Sequence, residues 1–177
     1  MTTDEFQIRR GTREDADTVA RLWMMNAREH ATYDEIYTPT PNAEHMMRRF
    51  LRELASSRET CFFVATAGDK VIGFLTGELR GSTPAFVPRT WATVEDVFVH
   101  PDWRSRGVGR ALVRRCFEWA RSTGADGMAL QVAAANKRAR NFYARLGFRE
   151  VSVYEALDLY PPRSSERDRT RTPPSGP

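Results

Sequence analysis

The chain has 177 residues, of which 41% are hydrophobic and 28% are charged, as expected for one soluble globular domain. It has no apolar run near the roughly 20 residues that cross a membrane, and residues 1–10 lack a signal-type apolar stretch. We therefore expect a cytoplasmic protein with no membrane partner. The net charge of +4 comes without a basic stripe interleaved with aromatic residues, which argues against nucleic-acid binding.

The cysteines and histidines do not predict a metal site or a cysteine nucleophile. Cys61 and Cys116 lie inside apolar periodic segments, which is typical of buried, reduced thiols. The three histidines, at positions 30, 45 and 100, have no metal-ligand spacing. We therefore predict no metal.

The first half of the chain predicts a strand, two helices and a hairpin. The predicted elements are a strand at Phe6–Arg10, a helix that starts at the capping-box-like pair Thr12 and Asp15 and buries Ala16, Val19, Leu22 and Trp23, a loop from Asn26 to Pro41, a helix capped near Asn42 that buries Met46, Phe50, Leu51 and Leu54, and hairpin strands at Thr60–Ala67 and Lys70–Arg80.

The second half alternates strands and helices and ends in a tail. The predicted elements are strands at Trp91–Val99 and Met128–Ala133, a helix with an apolar stripe of Val108, Leu112, Cys116 and Ala120, a helix at Arg138–Leu146 ended by Gly147, and a last strand at Phe148–Leu159. This order predicts an α/β domain with a mixed sheet over residues 1–160. The Pro- and Arg-rich tail, residues 161–177, is expected to be disordered.

The most informative segment is the junction between a strand and a helix at residues 97–110. The apolar strand stops at His100-Pro101, and a basic segment with glycines at 107 and 109 opens directly into a helix. Amide groups at the positive end of a helix suit a diphosphate, and a glycine lets the anion approach where a Cβ would collide. The alternative, for an isolated R-x-x-G-x-G pattern, is a tight turn with solvated arginines.

This segment resembles the acyl-CoA-binding motif of the GNAT N-acetyltransferase superfamily, [Q/R]-x-x-G-x-[G/A], at Arg104, Gly107 and Gly109. Two downstream pieces, residues 132–136 and 141–148, are similar to the end of the family's fifth strand and to the helix beside the cofactor thiol. The element order is also the family's. The resemblance implies a mostly antiparallel, helix-flanked sheet that is splayed at its two central strands, and it raises a homodimer as an expectation.

The resemblance further implies acetyl-CoA as co-substrate. Backbone groups of Val97 and Val99 would contact the pantetheine arm, and the turn amides would hold the diphosphate. Asn136 would contact the cofactor or cap the helix that follows it. The implied cofactor-binding residues are Val97, Phe98, Val99, Arg104, Ser105, Arg106, Gly107, Val108, Gly109, Arg110, Asn136 and Tyr143.

Two residues are the candidates for proton transfer. Tyr143 matches the family's general-acid tyrosine, and its alternative is a half-buried packing residue. The string at residues 94–99 resembles the spermidine/spermine acetyltransferase-like branch, in which the first acid, here Glu95, is the proposed base, acting through water. The alternative for Glu95 is a surface ion pair with Arg89 or Arg104.

Asp96 is expected to anchor a substrate charge or to make structural hydrogen bonds. Because successive strand residues face opposite sides of a sheet, at most one of Glu95 and Asp96 is expected in a given cavity.

The acceptor is expected to be cationic. Acidic and aromatic residues follow the first helix, and this combination suits an ammonium group through charge and cation–π contact. The candidate substrate residues are Glu29, Tyr33, Asp34 and Asp96. The expected function is acetyl transfer to a primary amine of a small molecule by direct attack in a ternary complex. Acetylation of a protein N-terminus or lysine, and coenzyme A binding without catalysis, remain open alternatives.

Overall fold

The fold is described from a computed structural model, which defines residues 6–57 and 59–159. The chain divides into two compact units, residues 1–140 and 141–177. The tail that the sequence predicts at residues 161–177 lies outside the described part of the chain.

The first unit contains a five-stranded sheet and the first three α-helices, and the fourth α-helix spans the boundary between the two units. The elements are β1 (Gln7–Arg10), α1 (Ala16–Ala31), a 3-10 turn (Glu35–Tyr37), α2 (Ala43–Leu54), β2 (Thr60–Ala67), β3 (Lys70–Gly81), β4 (Thr90–Val99), a second 3-10 turn (Pro101–Trp103), α3 (Val108–Ser122), β5 (Gly127–Leu130) and α4 (Lys137–Arg145). The strands follow chain order across the sheet. β1 to β4 pair antiparallel and β5 pairs parallel with β4, so the predicted mixed, mostly antiparallel sheet is confirmed.

The start of α1 contains half of the predicted capping box. The carboxylate of Asp15 accepts hydrogen bonds from the backbone N–H of Thr12 at 2.9 Å and from its hydroxyl at 3.1 Å. Arg9 from β1 donates to both oxygens of the same carboxylate, at 2.6 and 2.7 Å. One buried acidic side chain thus joins the first strand to the first helix.

Alternation along the strands sends side chains to two separate cores. Phe62, Val64, Phe74 and Phe98 pack against α1 and α2 on one face of the sheet. On the other face, the predicted α3 stripe of Val108, Leu112, Cys116 and Ala120 is buried. The two helical layers therefore cover opposite faces of one sheet.

The two cysteines are buried, free thiols, as predicted. Cys61 on β2 and Cys116 on α3 lie with their Sγ atoms 3.6 Å apart. The hydrogen bond with Cys116, together with burial, raises the pKa of the Cys61 thiol far above its usual range. This pair packs α3 onto the sheet.

Two helix predictions need correction. α1 continues to Ala31 rather than ending before Asn26, because Asn26 and Ala27 still face the core. On α2, Met46 and Phe50 are exposed. The buried side of α2 carries Ala43, Leu51 and Leu54, with Met47 packed against the core, and positions 46 and 50 lie on the neighbouring face.

Two strand predictions also need correction. β5 ends at Leu130 instead of continuing to Ala133. Residues 148–159 form no strand in the described chain, and Val151, Val153 and Leu157 there are mostly exposed. Their alternation is a strand signal, but a strand persists only where a neighbouring strand takes its backbone hydrogen bonds.

Candidate active site

β4 contains a β-bulge at Glu95. Thr76 on β3 pairs with Asp96, and the next residue, Gly77, pairs with Val94, so Glu95 has no partner in the ladder between these strands. A bulge inserts one residue into one strand, bends that strand and re-aims the side chains beside it.

The bulge brings two adjacent carboxylates to the same face of the sheet. Asp96 accepts a hydrogen bond from Trp23 Nε1 of α1, at 3.0 Å. Glu95 forms an ion pair with Arg80, which lies four residues from Thr76, the strand partner of Asp96, and therefore on the same face of β3. Strict alternation does not hold at a bulge, so whether one or both of the two acids face a given cavity stays a prediction.

Glu95 lies half-exposed beside two charged residues of β3. Its Oε1 is 3.0 Å from Nη2 of Arg80, so the partners expected from the sequence, Arg89 and Arg104, are replaced by an arginine of β3. Burial raises the pKa of the Glu95 carboxyl, and the carboxylates of Glu78 and Asp96 add to this, while Arg80 opposes it. The pKa of Glu95 is raised overall.

Asp96 is held by two donors. Thr76 Oγ1 donates to Oδ2 at 3.1 Å, and Trp23 donates to Oδ1. Burial raises the pKa of Asp96 although both hydrogen bonds and the charge of His30 lower it. The carboxyl thus combines a structural role with a shifted pKa.

β4 and β5 part directly after the residue that precedes the bulge. Their parallel pairing runs from Trp91–Gly127 to Val94–Leu130, and β4 continues for five more residues. The backbone N–H of His100 donates to the carbonyl oxygen of Ile72 on β3, at 2.8 Å. By alternation, the amide groups of Val97 and Val99 point away from β3, toward the side that β5 has left. The side chain of Phe98 is buried in the core under α1.

The turn after β4 has the backbone of an anion cradle. Ser105 has a φ of 64° and Gly107, the N-cap of α3, has a φ of 87°. Positive φ at a residue other than glycine is sparsely populated and concentrates at functional sites. The backbone N–H of Ala111 donates to Gly107 O at 3.0 Å, so the amides of Val108, Gly109 and Arg110 precede the first turn of intrahelical bonds.

Arg104 joins the turn to α1. Its Nη2 lies 2.5 Å from Glu29 Oε2, its Nε donates to Val99 O at 3.0 Å, and its guanidinium lies 5.6 Å from the Phe98 ring centroid. Burial tends to raise the pKa of Glu29, but Arg104, Arg138 and Tyr33 together lower it below its usual range. Arg104, which is predicted to bind the cofactor, and Glu29, which is predicted to bind the substrate, are thus in direct contact. Arg106, also predicted to bind the cofactor, lies with its guanidinium 5.0 Å from the Trp103 ring centroid.

Three aromatic rings cluster where α1 ends. The His30 ring meets the rings of Tyr33 and Tyr37 edge to face, with centroids 5.6 and 5.7 Å apart, and Tyr33 donates to Glu29 at 3.4 Å. His30 Nδ1 lies 2.9 Å from Asn26 O, as fits an N–H donor. His30 belongs to the acidic and aromatic segment that the sequence predicts on the acceptor side, but it is not among the candidate substrate residues. Its i, i+3 relation to Tyr33 was the available signal.

The remaining predicted residues have local roles in the structure. Asp34 is exposed and caps the first 3-10 turn by accepting from the N–H of Ile36, at 3.0 Å. Asn136 Oδ1 accepts from the N–H of Ala139 at 3.0 Å and so caps α4, which was one of its two expected roles.

Tyr143 belongs to the second unit. Its ring contacts Phe142 and Phe148 edge to face, with centroids 5.1 and 5.7 Å apart. Gly147 follows α4 with a φ of 92°, as predicted for a helix C-cap. The contacts of the ring leave its proposed acid role as a prediction.

No helix in the described residues has the length and apolarity to cross a membrane. Likewise, those residues contain no group of three or more acidic, histidine or cysteine side chains placed to hold a metal ion.

Comparison with known proteins identifies the family. The model of the acetyltransferase (GNAT) family matches residues 24–148. The chain therefore belongs to the GNAT family of N-acetyltransferases.

Three proteins illustrate the similarity. N-acetyltransferase MJ1207 of Methanocaldococcus jannaschii is 30% identical over 148 residues, which is 84% of this chain, and the chain spans 62% of that relative. Peptidyl-lysine N-acetyltransferase YjaB of Salmonella typhimurium is 29% identical over 162 residues, 89% of this chain and 92% of YjaB. Aminoglycoside N-acetyltransferase AAC(6')-Iy, whose structure contains CoA, has a TM-score of 0.67 at 20% identity, covering 90% of this chain and 96% of its own. This structural likeness concerns the fold.

Proposed function

We propose that this protein transfers an acetyl group from acetyl-CoA to a primary amine of a small cationic molecule, by direct attack in a ternary complex. The bulge at Glu95 carries the proposal. It places two carboxylates with raised pKa values at the point where β4 leaves β5. One inserted residue thus combines a candidate base with an open strand edge.

The residues after the bulge fit acetyl-CoA, which supplies an acetyl thioester. The outward amides of Val97 and Val99 can hold an extended pantetheine arm as an added strand, and one of them can polarise the thioester carbonyl. The first amides of α3, behind Gly107, can hold the diphosphate. The CoA-containing structure of AAC(6')-Iy, which has the same fold, supports this assignment.

Glu95 takes the proton from the acceptor. An alkylammonium group has a pKa near 10.4, so only about one part in a thousand is neutral at pH 7. A carboxylate with a raised pKa is a stronger base than a solvated one, and Glu95 accepts the proton through water. As the C–N bond forms and the C–S bond breaks, the thiolate takes a proton, which we assign to Tyr143 from the sequence pattern, and the second proton that the nitrogen loses on becoming an amide returns to the tyrosinate.

The acceptor side is acidic and aromatic. Glu29 and Asp96 supply negative charge, and the rings of Tyr33 and Tyr37 suit cation–π contact. The spermidine/spermine-like string at β4 and the aminoglycoside named for AAC(6')-Iy both favour a small polyamine-type molecule. We also propose that the protein acts in the cytoplasm and that it forms a homodimer.

Peptidyl lysine is the second candidate acceptor. The similarity to YjaB extends over 89% of this chain, more than the similarity to MJ1207. Lysine side chains present the same primary ammonium group, so the proposed chemistry is the same and only the acceptor differs.

The test is acetyl-CoA-dependent release of free thiol with polyamines, aminoglycosides, amino acids and basic peptides. We expect turnover with a small cationic amine, and loss of this turnover in Glu95→Gln. The matched control is Glu118→Gln, which removes an exposed carboxylate that pairs with arginines on α3. Turnover with basic peptides alone would replace the first candidate by the second. Acetyl-CoA binding, seen as a thermal shift, without turnover of any acceptor would favour the coenzyme A-binding module.

A further inference from the structure

Arg80 bridges two carboxylates at the proposed catalytic base. Its Nε donates to Glu78 Oε1 at 2.7 Å, and its Nη2 lies 3.0 Å from Glu95 Oε1. Glu78 and Arg80 are two residues apart on β3, so they share one face of the strand. The guanidinium therefore contacts one carboxylate on its own strand and one carboxylate on the neighbouring strand.

The ion pair between Arg80 and Glu95 is exchangeable. The side chain of Arg80 is 55% exposed and that of Glu95 is 36% exposed. Ion pairs with this exposure add little to stability, so another cation can replace one member of the pair. A guanidinium cannot lose its proton, which means that Arg80 itself is neither acid nor base at any working pH.

We propose that Arg80 is a positioning residue, which pairs with the Glu95 carboxylate while no acceptor is bound. The ammonium group of the acceptor displaces Arg80 from this ion pair. The inference rests on the proposed role of Glu95 as base. The displaced guanidinium keeps its bond to Glu78. Once the amine has given up its proton, no cation then remains beside Glu95 to oppose its protonation.

The charges around Glu95 define what each variant does. β3 contributes Glu78 and Arg80, and β4 contributes Asp96, which in turn feels His30 of α1. Arg80 is the cation that favours the ionised form of Glu95, whereas Glu78 and Asp96 disfavour it. Removal of Arg80 and removal of Glu78 therefore move the titration of Glu95 in opposite directions.

The experiment compares pH profiles of kcat/KM for Arg80→Gln, Glu78→Gln and wild type. In Arg80→Gln we expect the acid limb to move up by about half a pH unit or more. The KM of a cationic acceptor should fall several-fold, since its internal competitor is gone. In Glu78→Gln we expect the acid limb to move to lower pH and the KM of the cationic acceptor to rise, because Arg80 then pairs with Glu95 alone.

Three controls separate positioning from general damage. Arg80→Lys keeps the charge and should restore the acid limb. Arg49→Gln removes an exposed arginine that pairs with Glu53 on α2, and should leave the profile unchanged. An acceptor amine that is neutral at the assay pH should show no change of KM in Arg80→Gln.

Each result decides a separate point. An active Glu95→Gln enzyme would remove the base from the proposed function. The role of Arg80 alone would be overturned if Glu95→Gln is inactive but the acid limbs of Arg80→Gln and Glu78→Gln coincide, or both move in the same direction from wild type. Carbon-detected NMR titration of the Glu95 carboxyl in Arg80→Gln tests the same role without an acceptor: an unmoved pKa overturns the proposal, and a raised one supports it.

Discussion

Arg104 and Glu29 form an ion pair that ties the first residue of the glycine-turn motif to the last turns of α1. The pair is partly buried, with side-chain exposures of 22% and 32%. Arg104 also holds the carbonyl of Val99, at the end of the open strand edge. One guanidinium thus links the proposed acceptor side to the proposed cofactor side.

Breaking this pair should cost stability. We expect Glu29→Gln to lower the free energy of unfolding by about 1–3 kcal/mol, since Arg104 is left with an unpaired charge. Burial raises the pKa of Glu29, but Arg104 outweighs this effect, so the pKa is lowered in the folded protein. The stabilisation is therefore present above the ordinary carboxylate pKa and is lost as the pH falls through the folded value. Urea unfolding at pH 7 and pH 3 measures both effects. Glu53→Gln, at an exposed pair on α2, is the control and should change little.

Tyr143→Phe should separate catalysis from packing. The aromatic contacts with Phe142 and Phe148 involve the ring, which phenylalanine retains. We expect kcat to fall by about 10²–10⁴ through loss of the proton donor, with the Kd of acetyl-CoA nearly unchanged. Tyr154→Phe, at an exposed tyrosine of the same unit, should behave as wild type. Weaker acetyl-CoA binding with kcat preserved would instead make Tyr143 a packing residue.

Gly107→Val should abolish acetyl-CoA binding. The φ of 87° disfavours any side chain, at a cost of about 1–3 kcal/mol, and the new side chain would enter the open space over the turn. Gly109→Val is expected to have the same effect on binding. Gly124→Val is the matched control, because it has a φ of 76°, similarly open space, and a place beyond the other end of α3. The variants at 107 and 124 should both lose stability, but only the changes at 107 and 109 should lose the thermal shift given by acetyl-CoA.

Asp96→Asn should stabilise the protein at neutral and alkaline pH. An asparagine can still accept from Trp23 and can donate to Thr76, so both hydrogen bonds are kept. The pKa of Asp96 is raised in the fold, chiefly by burial. The ionised carboxylate therefore opposes folding, and its penalty grows as the pH rises toward the folded pKa. Melting temperatures from pH 4 to pH 8 test this. A variant that melts below wild type at pH 8 contradicts the expectation.

The sequence was sufficient for features that depend on local periodicity. The α3 stripe, the glycine at 147 that ends α4 and the β2–β3 hairpin follow from helical spacing, positive-φ preference and alternation, and all are observed. These patterns need no knowledge of a neighbour in space.

The sequence was insufficient for features that depend on a partner. The bulge at Glu95 exists only relative to β3, so single-strand alternation could not show it. The partner of Glu95 is Arg80 of the neighbouring strand, and the partner of Arg104 is Glu29 because α1 runs further than its polar end suggested. The exposed Phe50 illustrates the same limit, since two apolar faces on α2 competed for one core.

Glu95 is surplus to the pairing of the sheet. Every residue from Thr90 to Val99 except this one has a partner on β3, so deleting it would leave all the other β3–β4 pairs in register. The same residue marks the point where β4 and β5 separate. A chain without it would keep its cores, and we expect its β4 to run straight and pair further with β5. Deletion of Glu95 would then remove the carboxylate and the opening beside β4 in one step, whereas Glu95→Gln removes the carboxylate alone.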